Sequence, residues 1–549
     1  MFVKCDLFAY DDEERRGDFR YMNKYLLRRI LFSVFSLFVV VMVVMLLVYT
    51  LIERSVIFQT DDVWNKKSNN ERVIYEYTQY QKYGYLSYVD YSSFVRDKYL
   101  EVYGENYTTN SDYVADKAVI QNPSAYQNNE TVQEFLTEYS AKGYNFKYLE
   151  PLKYKSGKVK PGGTGYLIAV QEKNVFFRLV DYIKGFITVE NIHMVNDPEL
   201  TDRYIRIEKD PYSGFPAVVG NGTYHKYLLY FSSDFPFIHQ NWIRINLGTS
   251  FTTYRGQEIT GVITTPTGSL NPTLQQYPTQ IGTDDYVNTA IDFHSVTYNS
   301  SGVLSDVEKS QFTDKYTVYS YRKNGLSMIG NSFVIGIIAT FMAYMLGLPL
   351  GMLNARFKDG IFDKIGNAYI IFIMSVPSLA YIFMLAAFGT RLFGLPYKFA
   401  NAEVQIMAYI LPTVSLSLPS IGNLMKWMRR YMIDQMNSDY VKFARSGGLS
   451  EGEIYRLHIS RNAMIYLVQG IPASIIACLT GAIITERVYS VPGVGNLLTT
   501  AINTHDNGVI VACAVFYTSL SLISVILGDL LLAKYDPRIS LSSDKGGGR

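Results

Sequence analysis

The chain has 549 residues and a formal net charge of +2. This length argues against a single compact domain, and the small charge argues against a large polyanionic partner such as a nucleic acid. The mean hydropathy of +0.03 averages strongly apolar runs with a long polar block that is rich in tyrosine. The three cysteines, Cys5, Cys478 and Cys513, lie outside this block, so its core is expected to depend on burial rather than on disulfides.

The N-terminal part of the chain contains a polar tail and then the first apolar run. Residues 1–29 form the tail, and residues 30–52 are 23 residues without a charge. At about 1.5 Å per residue, such a run crosses a hydrocarbon core of about 30 Å. A cleaved signal peptide is the alternative, but the run is long for one, and Glu53 and Arg54 follow it without a cleavage site. Because basic residues precede the run, we predict an uncleaved first span and a cytoplasmic tail.

Residues 53–325 are expected to form an extracytoplasmic domain of mixed α/β structure. No apolar run in this block is long enough to cross a membrane. Alternating side chains at 204–207 and 242–245 predict strands, and 72–100 favours a helix. The stretch 262–300 is rich in Thr, Asn, Gly and Pro and predicts loops.

Residues 326–535 are expected to form a helical core with five further spans. The apolar runs lie near 331–352, 367–389, 404–422, 464–485 and 508–532. Lys and Arg cluster in alternate connectors, at 356–364, at 426–461 and after 533. This bias predicts six spans with both ends in the cytoplasm, the last residues, 536–549, forming a cytoplasmic tail. Asp529 lies in the last run, near its cytoplasmic end, where snorkelling is the simplest account of its charge.

A polar stretch at about 436–463, which we call the 436–463 loop, separates the fourth and fifth runs. Its residues 439–463 read DYVKFARSGGLSEGEIYRLHISRNA, which predicts a helix, a Gly-Gly turn and a second helix. Ser450 is a plausible N-cap, and Glu451 follows in the first turn. Ile454 and Leu457 are expected to form an apolar edge at i and i+3. Two interpretations remain open, which are a docking element for a groove on another protein and an ordinary basic connector.

The segment 486–495, with the sequence ERVYSVPGVG, follows the fifth run. Its Pro-Gly pair and its later glycine predict a non-helical re-entrant turn, which a membrane tolerates where it lines a cavity. Alternatively, Glu486 and Arg487 mark a membrane boundary. Pro377 lies inside the third run and indicates either a bent helix around a cavity or an ordinary tolerated proline.

Motifs of common enzymes are absent from the sequence. There is no G-x-x-x-x-G-K-[ST], no H-E-x-x-H and no Cys-x-x-Cys, and no two of the six histidines have helical ligand spacing. We therefore predict no P-loop nucleotide site, no metal site, no catalytic residue and no cofactor on this chain. A hydrolase within the polar block stays open, because catalytic groups need not be close in sequence.

The order of residues in the 436–463 loop resembles a known motif. Ala444-Arg445-x-x-Gly448-Leu449-Ser450, followed by His458 and Arg461-Asn462-Ala463, is similar to the EAA loop of ABC-importer permeases. It is most similar to the oligopeptide/dipeptide permease family (OppB/AmiC type), although Lys442 and Phe443 stand where the motif name has Glu and Ala. Three other segments also resemble this family, namely LGTSF at 247–251 with Tyr254-Arg255, the 486–495 segment, and DPRI at 536–539.

The resemblance implies a fold and a function. The fold is a polytopic α-helical membrane protein with six transmembrane helices, similar to type I ABC-importer permeases, with the mixed α/β domain inserted after the first helix. The function is that of a permease subunit that forms half of the pathway of an ATP-driven peptide importer in a bacterial plasma membrane. The polar block is then an enlarged, family-variable insertion. The runner-up hypothesis is a membrane-anchored receptor or sensor with an extracytoplasmic ligand-binding domain.

The resemblance also implies partners and site residues. The partners are a second homologous permease subunit, two ATP-binding subunits that carry ATP and magnesium, a lipid-anchored peptide-binding protein outside, the peptide itself and membrane lipid. The ATPase-coupling residues implied are Ala444, Gly448, Leu449, Ser450, Glu451, Ile454, Leu457, His458 and Arg461. Candidates for the translocation path are Glu486, which would meet the peptide's amino terminus, with Tyr489, Pro492, Gly493, Gly495 and Pro377.

Overall fold

The structure is a computed structural model of the whole chain. It describes residues 12–51, 53–194, 200–210, 213–223, 225–231, 237–264, 274–276, 286–288, 297–298, 317–318, 326–468 and 470–535. The 536–539 motif, the C-terminal tail and most of the predicted loop region at 262–300 lie outside these ranges.

The first helix, α1 (Asp12–Leu51), contains the predicted first span. Residues Leu27–Thr50 of α1 are long and apolar enough to cross a membrane, as predicted for 30–52. The helix extends toward the N-terminus into the predicted tail, because the tail contains good helix formers and no proline.

The polar block begins with an α/β unit. Its elements are α2 (Asp62–Lys66), α3 (Asn69–Lys82), β1 (Leu86–Asp90), α4 (Tyr91–Tyr103), α5 (Ser111–Val119), α6 (Glu130–Ala141), β2 (Asn145–Leu149) and β3 (Tyr166–Glu172). The three strands form an antiparallel sheet in the order β1-β3-β2. The core between sheet and helices is largely aromatic, with Tyr91 and Phe135 fully buried. The helix predicted at 72–100 is thus two helices, α3 and α4, with β1 between them.

The second part of the block is mostly strands. It contains α7 (Val175–Phe186), β4 (Ile187–Val189), β5 (Ile205–Lys209), β6 (Pro216–Gly220), β7 (Tyr227–Phe231), β8 (Ile238–Gln240), β9 (Ile243–Ile245) and α8 (Ile259–Thr264). An antiparallel sheet has the order β5-β6-β7-β8, and β4 pairs with β9. Two short ladders follow, β10 (Leu274–Gln276) with β11 (Tyr286–Asn288), and β12 (Thr297–Tyr298) with β13 (Thr317–Val318). The predicted mixed α/β character and the two predicted strands, now β5 and β9, are confirmed.

The rest of the described chain is helical. Its elements are α9 (Met328–Arg356), α10 (Ile361–Ser375), α11 (Ser378–Phe393), α12 (Gln405–Met436), α13 (Asp439–Ser446), α14 (Glu451–Glu453), a π-helical stretch (Ile454–Ile459), α15 (Ser460–Val468), α16 (Ile471–Tyr489), α17 (Val494–Asn503) and α18 (Asn507–Tyr535). Helices α9 and α12 make the most extensive contact in this part.

The described residues contain four helices that are long and apolar enough to span a membrane, or five if one bent pair is a single span. The bent pair is α10 and α11, which meet at 111°. The apolar run predicted at 367–389 is therefore bent, as in the first of the two alternatives for Pro377. Pro377 stands directly before α11, where its ring and missing N–H interrupt the helix, and Val376 before it is extended.

The fourth predicted run, 404–422, lies in α12, which is not among the apolar helices counted above. Its serines and prolines lower its hydropathy, and Ser415 and Ser417 are buried in the protein instead of facing lipid. Small residues on α9 permit this close packing. A Cβ at Gly347 would lie 2.9 Å from Cβ of Leu424, and one at Gly351 would lie 2.8 Å from Cβ of Met428.

Asp529 forms an ion pair instead of snorkelling alone. Its Oδ2 lies 3.0 Å from Nη2 of Arg29, so the pair joins α18 to α1. The charge is therefore neutralised locally, which reduces the cost of placing a carboxylate near apolar helices.

Gly351→Val should destabilise the helical core, because the added methyl groups have no space between α9 and α12. Overpacking of this kind typically costs about 1–3 kcal/mol, so thermal unfolding of the purified protein in detergent should shift to lower temperature. Gly261→Val is a matched control, since nothing lies within 4 Å of a Cβ there. Equal unfolding temperatures for the two variants would contradict the tight α9–α12 contact.

Candidate functional site

The 436–463 loop folds as two helical segments around a tight turn. The turn contains Gly447 and Gly448, and Gly448 has a φ of 84°, which favours glycine. The second segment starts with a capping box, in which the Glu453 amide donates to the Ser450 hydroxyl oxygen and the Ser450 amide donates to the Glu453 carboxylate. These local bonds explain why the predicted helix–turn–helix forms at this position.

One side of the loop is buried against the helical core. Val441, Ile454 and Ala463 are fully buried, in one cluster with Met428 and Met432 of α12. Ala355 at the end of α9 belongs to the same cluster. The loop is thus packed onto the ends of α9 and α12 and is not a loose connector.

The other side of the loop exposes apolar side chains. Phe443 is 80% exposed and Leu457 is 53% exposed, and Leu449 in the turn is also exposed. Ser450, Glu451 and Arg461 are exposed around them, whereas Ala444 and His458 are half-buried. An exposed apolar patch with a polar rim is typical of a protein-binding surface.

The structure corrects the predicted apolar edge of Ile454 and Leu457. Ile454 points into the core and Leu457 points outward. The cause is the π-helical stretch Ile454–Ile459, which has more residues per turn than an α-helix, so positions i and i+3 no longer share one edge. Ile454 therefore anchors the loop and does not belong to its exposed face.

A bidentate ion pair closes the loop across the glycine turn. Nε of Arg445 lies 2.6 Å from Oε1 of Glu451, and Nη2 lies 3.1 Å from Oε2. Hydrogen bonding to Arg445 lowers the pKa of the Glu451 carboxyl below its usual value. Because both side chains are exposed, the pair adds little to the free energy of unfolding, and its role is to hold the geometry of the loop.

The structure also corrects part of the predicted re-entrant segment 486–495. Glu486 and Tyr489 lie in the last turn of α16, which continues to Tyr489 instead of ending near 485. Ser490 ends the helix in a left-handed conformation (φ 54°), and α17 begins at Val494. The non-helical part is therefore only the short Pro-Gly turn.

Glu486 is fully buried and holds this turn. Its Oε1 accepts a hydrogen bond from Oγ of Ser332 at 2.6 Å, and its Oε2 accepts one from the Asn496 amide at 2.9 Å. Gly493 and Gly495 make space for the carboxylate, since a Cβ at Gly495 would lie 2.9 Å from Oε2. The carboxylate thus satisfies protein donors in this conformation, and its contact with a peptide amino terminus stays a prediction.

Other residues connect the same turn to the core. Nδ2 of Asn331 donates to the Pro492 carbonyl at 2.8 Å. The Tyr489 hydroxyl lies 2.8 Å from Oγ of Ser415 and donates to the Ile382 carbonyl at 3.2 Å. The structure therefore brings together the predicted residues of α16 and its turn, whereas Pro377 lies exposed at the α10–α11 bend.

Asp506 is a central residue that the sequence reasoning missed. It is fully buried, and its carboxylate accepts hydrogen bonds from the Ser250 hydroxyl at 2.6 Å and from the amides of Phe251, Thr252 and Thr253 at 2.9–3.0 Å. It also caps α18 by accepting from the Val509 amide at 3.2 Å. The predicted family-like segment 247–255 is thus fixed to the start of the last span. The pattern Asp-Asn before an apolar run was the available signal, because it is a typical helix start.

Among the residues that the structure describes, no group of three or more His, Cys, Asp or Glu side chains is placed to hold a metal ion. The carboxylates that are buried in the described part instead accept hydrogen bonds from the protein, as Glu486 and Asp506 do.

Comparisons with known proteins define the class. Residues 347–541 match the family model described as "Binding-protein-dependent transport system inner membrane component". This range includes the 436–463 loop, the Pro-Gly turn and Asp506. The chain is thus a multi-pass inner-membrane component of a binding-protein-dependent transporter.

Relatives then define the family. The chain is 33% identical over 533 residues to the oligopeptide transport system permease protein AmiC of Streptococcus pneumoniae serotype 4 (strain TIGR4), covering 96% of this chain and all of that protein. It is 30% identical over 213 residues to the dipeptide transport system permease protein DppB of Lactococcus lactis subsp. cremoris, covering 38% of this chain and 69% of that protein. The chain belongs to the oligopeptide/dipeptide permease family of ABC importers, as its motifs predicted.

The range of each match shows where the family likeness lies. The alignment with AmiC covers 96% of this chain, so it includes the polar block. The block is therefore shared with this relative. Among solved structures, an inward-facing MetNI methionine ABC transporter chain matches at 13% identity with a TM-score of 0.33, covering 38% of this chain and 93% of that chain.

Family membership fixes the general role. The chain is a permease subunit of a peptide ABC transporter, and the alternative hypothesis of a membrane-anchored receptor or sensor is rejected. Permeases of this family work with a partner permease, with ATP-binding subunits and with a substrate-binding protein.

Asp506→Asn should loosen the attachment of segment 247–255, because one of its oxygens becomes a donor facing other donors. Each buried donor left without a partner costs about 1–3 kcal/mol. Thermal unfolding should shift down, and amide hydrogen exchange should accelerate at residues 251–253. Asp181→Asn, which changes an exposed carboxylate in a surface ion pair, is the matched control. Unchanged amide hydrogen exchange at residues 251–253 would refute the attachment of this segment by Asp506.

Proposed function

We propose that the chain forms half of the translocation pathway of an ATP-driven peptide importer and receives the ATPase motion through the 436–463 loop. The observation that carries this proposal is the two-sided character of the loop. Its inner side is packed into the core at Val441 and Ile454, and its outer side exposes Phe443, Leu449 and Leu457. An element of this kind can transmit force from a docked partner to the spans, because it is rigidly attached on one side.

We also propose that the loop lies in the cytoplasm and the polar block outside. The distribution of Lys and Arg supports this arrangement. The positions of the ends of α9 support it as well. Met328 at the start of α9 clusters with Ile259 and Val262 of α8, whereas Ala355 at its end clusters with the loop. Helix α9 has 29 residues, which at 1.5 Å per residue place its two ends about 43 Å apart.

The mechanism follows from these attachments. Because the sequence lacks a P-loop, the energy enters from ATP-binding partner subunits, which bind ATP and magnesium. Closing of the ATPase pair moves the docked loop, and the cluster around Met428 transfers this motion to α9 and α12. The result is a shift between inward-open and outward-open states. The polar block outside then positions the lipid-anchored peptide-binding protein over the pathway.

Phe443→Asp and Leu457→Asp should weaken association with the ATP-binding subunits, because each places a charge in the proposed apolar contact. Loss of one buried apolar anchor costs about 2 kcal/mol or more, which corresponds to roughly thirtyfold weaker binding. Co-purification with the ATP-binding subunits and ATP-dependent uptake of a labelled oligopeptide should both fall.

Val114→Asp is the matched control, since Val114 is an exposed apolar residue in α5 of the polar block. It should leave both measurements unchanged. If all three variants retain full ATPase association while unfolding at the same temperature, the coupling role of the loop is refuted.

A further inference from the structure

Helix α7 lies against the end of the first span. The guanidinium carbon of Arg178 is 3.7 Å from the ring centroid of Tyr49 and 3.9 Å from that of Tyr85. Tyr49 is in the last turn of the candidate span Leu27–Thr50. A cavity at this junction is lined by Met45 and Tyr49 of α1 and by Arg178, Asp181 and Tyr182 of α7. One face of α7 therefore packs against the C-terminal end of the candidate span.

The opposite face of α7 is apolar and uncovered. Phe176 is 65% exposed and Phe177 is 64% exposed, and Ile183 further along the helix is exposed too. Positions 176, 180 and 183 form one row along α7, and exposed Ile187 begins the strand that follows directly after the helix. Large apolar side chains such as Phe176 and Phe177 are costly to leave in water.

The β4–β9 ribbon extends this apolar face. Ile187 pairs with Ile245, and Val189 pairs with Ile243. Directly opposed residues of an antiparallel pair project from the same face. All four side chains are exposed, so the ribbon, which follows α7 directly, presents an aliphatic surface of its own.

We propose that α7 and the β4–β9 ribbon form a membrane-surface anchor, which buries Phe176, Phe177 and the aliphatic face of the ribbon at the boundary between headgroups and acyl chains. The bilayer is the occupant because Tyr49, at the end of a membrane span, fixes the position of α7. Amphipathic helices with aromatic residues on the apolar face and a basic flank bind in this plane. Exposed Lys184 lies beside Ile183 and supplies the basic flank for lipid phosphates.

The anchor has a consequence for the polar block. It holds the block against the bilayer at a point beside the first span. The hydrogen bonds between segment 250–253 and Asp506 attach the block at the last span. The orientation of the block relative to the membrane is then set at two places. This anchoring is independent of the docking of ATP-binding subunits.

The test places an environment-sensitive NBD fluorophore on Phe177→Cys and on Ile243→Cys, in a chain whose three native cysteines are replaced by alanine. The complete transporter is reconstituted in phosphatidylcholine nanodiscs with and without lipid carrying a doxyl quencher near the headgroup. Leu47→Cys in the first span is the membrane reference, and Val114→Cys in α5 is the water reference. We expect blue-shifted emission and quenching at 177 and 243 that approach the Leu47 label and clearly exceed the Val114 label.

Two results would overturn the anchor. Emission and quenching equal to those of the Val114 label would show that the face is in water. Blue-shifted emission without quenching by doxyl lipid would show that another protein subunit covers it. Peptide uptake by the labelled transporters is measured in parallel, so failure of the anchor is distinguished from failure of the transport function.

Discussion

The Asp506 carboxylate joins the polar block to the helical core. Three successive backbone amides and a hydroxyl from segment 250–253 converge on it, and it caps the last span at the same time. A buried carboxylate is stable only where donors of this kind replace its hydration. The Asn507 side chain adds a bond to the hydroxyl of Tyr85, which lies in the α/β unit. The polar block is therefore bonded to the helical core and is not a separate domain on a flexible tether.

A second buried carboxylate organises the core itself. Glu486 fixes the Pro-Gly turn to Ser332 on α9, which is the helix that also packs against the 436–463 loop at its other end. The loop is thus connected by static contacts, through α9, to the Pro-Gly turn. The connection consists of contacts between packed helices and buried hydrogen bonds, which favour discrete rearrangements over gradual deformation.

The sequence predicts features that depend on neighbouring residues and misses those that depend on distant ones. The helix–turn–helix of the loop was predictable because Ser450, Glu453 and Gly448 form its cap and turn locally. The bonds from Ser250 to Asp506 and from Ser332 to Glu486 were not, because each joins residues that are more than 150 positions apart. Hydropathy found the third apolar run, but it could not decide between a bent helix and a tolerated proline at Pro377, since a mean over residues carries no direction. The sequence did not predict that Ile454 is buried while Leu457 is exposed, because a π-helical stretch has no simple sequence signal.

The proposed coupling of ATP hydrolysis to peptide transport depends on one contact, between the exposed face of the 436–463 loop and an ATP-binding subunit. The most direct measurement is photo-crosslinking from a benzophenone amino acid at position 443 in the assembled transporter, with the same group at position 114 as the control. We expect an adduct with an ATP-binding subunit from position 443 and none from position 114. Adducts from position 443 only with lipid, or with no subunit of the transporter, would contradict it.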